Sequence, residues 1–357
     1  MMGLFVTFLN QPVEVGAIRP QFGAWLGIAP NERPDLVVRF GRGPGHAAVD
    51  AAAGAGGAGL KARSAKQRRN VMNWIGWSAL GIGLLVAAAA GLAAFGSSRW
   101  AGATQVQMTQ LEATKLPAPA GRYDAREIDG LPAPVRRYFR AVLKDGQPFI
   151  ASATFELAGT INMSATGERW KPFTSTQRAV THRPGFLWNG RVAMLPGLAA
   201  HVHDSYIAGA GTLHAAMLGL FTVAEVQGGG EIARGELMRY FAEMAWYPTA
   251  LLPSQGVRWE AVDGRSANAT LVDGPISLTL LFRFDDAGLI TSVHADARGS
   301  GVGKDMVMLP WECSVSNYQL RDGMMVPTRG GAAVLRPEGR RPYFVGDLTS
   351  LVYEFSP

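Results

Sequence analysis

Between Arg69 and Arg99 the chain carries no charged residue, an uninterrupted run of 29 positions from Asn70 to Ser98. Its centre, Trp74 to Phe95, is 22 residues dominated by Leu, Ile, Val, Ala and Gly. At about 1.5 Å per residue such a helix covers roughly 33 Å, enough for a hydrocarbon core about 30 Å thick. Trp74, Trp77 and Trp100 stand near its ends, where indole rings favour the membrane interface. The small residues Ala87–Ala90 and Ala93–Ala94 would suit a cleaved signal peptide. The apolar region, however, exceeds the roughly 7–15 residues of a signal. The expectation is an uncleaved transmembrane helix over 72–98. Lys61, Arg63, Lys66, Arg68 and Arg69 flank one side and Arg99 the other. That bias predicts a single-pass protein of the inner or cytoplasmic membrane, with a cytoplasmic N-terminus and an extracytoplasmic main domain.

The formal charge of +6 is concentrated ahead of this stretch. Residues 1–71 hold nine basic and four acidic groups, whereas the other 286 residues hold 25 and 24. A nucleic-acid binder gathers basic charge on its folded domain, so no nucleic-acid partner is expected. Residues 1–71 read as a low-complexity or disordered basic tail, nearly pure Ala and Gly over Ala47–Leu60. Met72 marks an alternative start just ahead of the apolar run. A single Cys excludes a disulfide scaffold.

Downstream, residues 99–125 read as a linker, stiffened by Leu116-Pro-Ala-Pro-Ala-Gly121. The domain expected over 126–357 opens with a helix after Leu131-Pro-Ala-Pro134. Val135, Tyr138, Phe139, Val142 and Leu143 form its one apolar stripe. From Ile150 the period changes to two: Ala153, Phe155, Leu157, Gly159, Ile161 and Met163 share a face. Phe186, Trp188, Val192 and Met194 repeat the pattern. A meander follows over 257–262, 266–272, 275–284 and 289–298, with turns at Asp263-Gly264, Asp273-Gly274 and Asp285–Gly288. Strands near 311–320, 324–335 and 343–355 bring the expected number to about a dozen. A second helix, Glu231 to Trp246, interrupts them. Glu236/Arg239 and Arg239/Glu243 on it are spaced as surface ion pairs. The fold class is mostly β with a few helices (α+β): a large curved antiparallel sheet or open half-barrel. Two helices cannot cover so long an apolar face, which predicts a partly filled groove.

Four runs carry a resemblance. Trp246-Tyr-Pro-Thr-Ala-Leu-Leu-Pro-Ser-Gln-Gly-Val-Arg-Trp-Glu260, Leu131-Pro-Ala-Pro-Val-Arg-Arg-Tyr138, Trp170-Lys-Pro-Phe173 and Pro310-Trp-Glu312 are similar to landmarks of an uncharacterised family of bacterial membrane-anchored proteins (DUF6544/DUF6920-like). The likeness covers roughly residues 72–357 and departs at Cys313, where Gly is expected. It implies no catalytic residues. Its order of elements is similar to the half-barrel of periplasmic lipoprotein-carrier (LolA-like) proteins, an analogy of fold.

Motifs for chemistry are sparse. No Gly-x-Ser-x-Gly elbow or phosphate loop occurs, and Gly299-Ser-Gly-Val-Gly303 reads as a flexible loop. Cys313 alternates with Trp311 and Val315 and reads as a buried, inert thiol. His201 and His203 share a strand face, and a hairpin pairing residue 205 with 214 would bring His214 beside them. Three imidazoles suit zinc, but no carboxylate joins them and Asp204 points away, so neither metal nor other cofactor is expected. No catalytic residue is assigned. The expected function is binding of a lipid or another hydrophobic ligand in an apolar groove, with Trp246, Tyr247, Leu251, Leu252 and Trp188 as its lining. The competing readings are a metal-dependent or other hydrolase on the same scaffold and a structural envelope interaction module.

Overall fold

The computed structural model describes residues 60–117, 121–164, 167–300 and 306–357. The expected tail before Leu60 and the glycine-rich stretch after Ser300 lie outside the described residues. The described chain falls into two units, one ending at Gly96 and one running from Ser97 to Pro357.

A single helix, α1 (Leu60–Ala113), crosses that division. Up to Gly96 its Trp74, Trp77, Leu84, Leu85 and Phe95 are exposed. Among the described residues it is the one helix long and apolar enough to cross a membrane, by length and composition. It runs on to Ala113, through residues expected to belong to a linker. Residues 99–113 contain no proline, and Trp100, Met108 and Leu111 give them an apolar side to bury.

The second unit is one open antiparallel sheet of 13 strands, in the order β6-β5-β4-β3-β2-β1-β13-β12-β11-β10-β9-β8-β7. The strands are β1 (Ile150–Asn162), β2 (Trp170–Val180), β3 (Gly185–Leu195), β4 (Leu198–Ile207), β5 (Ala210–Met217), β6 (Phe221–Gly228), β7 (Arg258–Ala261), β8 (Ser266–Asp273), β9 (Ile276–Phe284), β10 (Ile290–Ser300), β11 (Val307–Arg321), β12 (Met324–Arg336) and β13 (Gly339–Phe355). Every sheet neighbour is also a sequence neighbour except β1 and β13, so two meanders are joined along one long seam. The sheet does not close, because β6 and β7 are its free edges. It does curl strongly: Tyr206 on β4 donates to Asp273 on β8, 2.6 Å away, across nine steps of the strand order.

Two shorter helices fill the curl. Helix α2 (Ala133–Val142) begins with Pro134 in its first turn and buries Val135, Tyr138, Phe139 and Val142, the expected stripe. Helix α3 (Glu231–Ala242) approaches β5 so closely that a Cβ on Gly211 would stand 2.7 Å from the Ile232 carbonyl. The expected helix to Trp246 ends earlier. After Ala242 the chain tightens into 3₁₀ turns at Glu243–Trp246, Pro248–Leu251 and Pro253–Gln255, as Pro248 and Pro253 require.

Candidate functional site

Alternation divides the sheet's side chains between two faces. On the inner face lie Gln177 of β2, Phe186 and Trp188 of β3, and Val202, Asp204 and Tyr206 of β4. Between this face and α3 is a cleft lined by Ile161, Trp188, Leu213, Trp246, Trp311 and Phe344, with charged groups at one side. Its volume is about 600 Å³ counting its mouth, but the room left for water-sized molecules is only about 40 Å³. The cleft is narrow and mostly apolar.

Its polar side is a buried ion network centred on α3. Arg239 donates to Asp204 Oδ2, to Glu243 Oε1 at 2.8 Å and to Gln177 Oε1 at 3.0 Å, and Gln177 Nε2 closes the ring onto Glu243 Oε2 at 2.6 Å. The same guanidinium lies 5.0 Å from the Phe186 ring centre and 5.3 Å from that of Trp188. A second arginine, Arg298 of β10, lies 5.0 Å over Trp311 and donates to the Tyr343 hydroxyl at 3.1 Å, which Trp311 Nε1 also reaches at 2.8 Å. Arg298 stands 3.7 Å from Glu236. Burial, reinforced by the neighbouring Asp204 charge, pushes the Glu236 carboxyl well above its ordinary range despite both arginines. The network thus sets the carboxyl groups of Asp204, Glu236 and Glu243 against two guanidiniums. Trp188 Nε1 is a buried donor without an acceptor among the described residues.

This arrangement corrects the reading of α3 as a helix with surface ion pairs. The spacing was seen correctly, but the face carrying Glu236, Arg239 and Glu243 turns inward. Asp204, Gln177 and Arg298 complete the network from strands far away in sequence, which no local spacing could signal.

Of the residues expected to line a groove, Trp188 and Trp246 border the cleft. The edge of the Trp246 ring abuts Gly330, where a Cβ would meet it at 2.9 Å, and its Nε1 donates to the Pro327 carbonyl at 2.9 Å. Tyr247, Leu251 and Leu252 are fully buried in the main core and do not line it. The 3₁₀ turns explain this placement. They aim Tyr247 at the Tyr240 carbonyl (2.9 Å) and bring the Leu251 carbonyl to Trp259 Nε1 (2.9 Å), which pins the segment against the sheet.

The histidines face the opposite side. The β4–β5 hairpin turns on two residues, Ala208 and Gly209, both with positive φ, so Ser205 pairs with Thr212 rather than with residue 214. The tighter turn sets His214 directly opposite His203. This outer face is covered, because the part of α1 that belongs to the same unit, after Ser97, lies on it and inserts Trp100 among the imidazoles. The indole centre is 4.0 Å from His203, 5.1 Å from His214 and 5.6 Å from His201. Gln107 Nε2 lies 3.0 Å from His203 Nδ1, and Thr104 Oγ1 lies 2.7 Å from Nε2 while donating to the Trp100 carbonyl. This pattern fits a neutral ring that accepts at Nδ1 and donates at Nε2. Burial, with His214 and His201 close by, pushes the His203 pKa down to about 3. Both ring nitrogens are thus committed to protein. Among the described residues, no three His, Cys, Asp or Glu side chains are grouped as metal ligands. Cys313 borders the inner cleft, and burial pushes its thiol up to about 12.

A family model described as a family of unknown function, DUF6920, matches residues 129–353. Among solved structures, the chain is similar to a LolA superfamily protein from Nitrosomonas europaea, with 12% identity and a TM-score of 0.34 over 63% of this chain and 93% of that one. It is also similar to a β-barrel-like protein of the domain of unknown function DUF1849 from Brucella abortus, with 12% identity and a TM-score of 0.19 over 58% and 99% of the two chains. No curated protein sequence matches the chain.

Proposed function

The chain belongs to DUF6920, a family of unknown function, and from the geometry of its inner cleft we propose that it binds a lipid or another hydrophobic ligand there, as a membrane-anchored protein. One observation carries this reading: an aromatic and aliphatic cleft under α3, with a polar cluster at one side and, at its wall, a Trp188 N–H that no described residue accepts. Burial of each methylene of an acyl chain gains about 0.8 kcal/mol before ordering costs. The cleft as it stands is closed around a few waters' worth of room, so a ligand enters by parting α3 and its following turns from the sheet. The long apolar stretch of α1 and the basic residues before it support a single-pass anchor with the sheet on the extracytoplasmic side.

Native mass spectrometry of the full chain released from detergent micelles tests the reading. The wild-type protein retains an apolar adduct of defined mass. Ala332→Phe, which fills the cleft, loses it, whereas Thr279→Glu on the solvent face of β9 keeps it. A folded wild-type chain without such an adduct, or one whose adduct survives Ala332→Phe, overturns the proposal.

A further inference from the structure

The hydrogen-bonding capacity left over in the inner cleft is of one kind. Trp188 is 3% exposed, and its indole N–H has no acceptor among the described residues. A buried indole ordinarily finds one, because a bare donor bears its full desolvation penalty. The ring is held where it is. It folds back over Gly190, where a Cβ would collide with it, and the Arg239 guanidinium lies 5.3 Å from its centre.

A second donor lines the same cleft. Tyr343 of β13 accepts from Arg298 at 3.1 Å and from Trp311 Nε1 at 2.8 Å. A phenol oxygen offers two lone pairs and one proton. With both pairs taken, the hydroxyl proton has no acceptor among the described residues.

Positive charge, by contrast, is already matched. The cleft's Arg239 and Arg298 stand against the carboxyl groups of Asp204, Glu243 and Glu236. Three acids face two guanidiniums, so no cation is left over whether or not Glu236 holds a proton. A carboxylate or phosphate entering here loses its water and gains no counter-charge.

We infer that the ligand is an uncharged acyl lipid whose ester carbonyl accepts from Trp188 Nε1, with its chain along Leu213, Trp246 and Phe344. This rests on the reading of the cleft as a hydrophobic-ligand site and narrows it to a chemical class. A carbonyl brings the acceptor that a bare alkyl chain lacks, without the charge that a fatty-acid anion carries. The Tyr343 hydroxyl serves a further oxygen of the same class from another wall.

Competition on the full chain in detergent micelles tests this. Methyl oleate, oleate and octadecene are added at equal mole fraction, and retained adducts are counted by native mass spectrometry. Methyl oleate exceeds octadecene roughly three- to tenfold, the worth of one buried hydrogen bond, and oleate does not exceed octadecene. In Trp188→Phe the ratio of ester to alkene falls toward one. The wild-type protein supplies a readout that needs no variant: methyl oleate with an isotope-labelled carbonyl shows a lower stretching frequency when bound than in the micelle alone. Equal retention of ester and alkene with an unshifted carbonyl overturns the inference and leaves the hydrophobic site standing. So does a ratio unchanged in a folded Trp188→Phe, or an excess of oleate. If no probe is retained at all, the hydrophobic-ligand reading falls as well.

Discussion

Arg239 holds together more of the inner cleft than any neighbour, since its guanidinium serves Asp204, Glu243 and Gln177 at once and lies against two aromatic rings. Arg239→Met leaves two carboxylates buried without their counter-charge. The expected cost is about 3–5 kcal/mol, read as a lower denaturant midpoint with an unchanged slope. Glu236→Gln behaves differently, because burial favours the uncharged carboxyl and the amide is uncharged at similar size. The folded pKa of Glu236 lies above its ordinary 4.5, so the folded state binds the extra proton. Its stabilising contribution is therefore full below about 4.5 and is lost as pH rises through the folded pKa. As pH rises above about 4.5, Glu236→Gln flattens the decline of stability with pH, and a variant with the wild-type slope refutes the assignment. At this scale the sequence was half legible. Spacing along α3 showed that Glu236, Arg239 and Glu243 share a face. Burial of that face depends on β2, β4 and β10 bringing Gln177, Asp204 and Arg298 to it, and those strands meet only in three dimensions.

Helix α1 contributes an element that the sequence pattern hid. The period-two run Ala153–Met163, the Asp-Gly turns and the stripe of α2 were all legible, because each depends on local geometry. The outer cover was not, since residues 99–113 look polar and the stripe they bury is short: Trp100, Met108 and Leu111. What locks them down is specific bonding to the sheet. Trp100 Nε1 donates to Asn189 at 3.0 Å, His203 takes Gln107 and Thr104, and Arg178 pairs with Glu112 at 2.8 Å. His203 gives this docking a pH dependence. Its folded pKa of about 3 lies below the ordinary 6.5, so the neutral ring's contribution is present above about pH 6.5 and is lost as pH falls toward 3. Hydrogen-exchange protection over residues 100–113, taken relative to the intrinsic rate at each pH, falls between pH 7 and 5, and Trp100→Ala lowers it already at pH 7. Exchange that is indifferent to both changes disproves the docking role of the imidazole cluster.

For the molecule as a whole, the asymmetry of charge around residues 70–98 predicts orientation. A phosphatase fused after Pro357 is active and a cytoplasmic reporter there is silent; the opposite pair of results rejects the extracytoplasmic placement. Fold class was legible at this scale because hairpin succession dictates an antiparallel meander. The curvature was expected with it, as a curved sheet or open half-barrel, since twist accumulates over so many strands. The seam between β1 and β13 has a consequence for how the protein is made. Each meander can assemble from neighbours as it leaves the ribosome, but Ile150–Asn162 waits for Gly339–Phe355, made almost two hundred residues later. Until then β1 presents a bare edge of 13 residues on which a foreign strand can seat itself. The sheet is therefore completed by its slowest and longest-range pairing, and the growing chain is most in need of a chaperone until β13 has emerged.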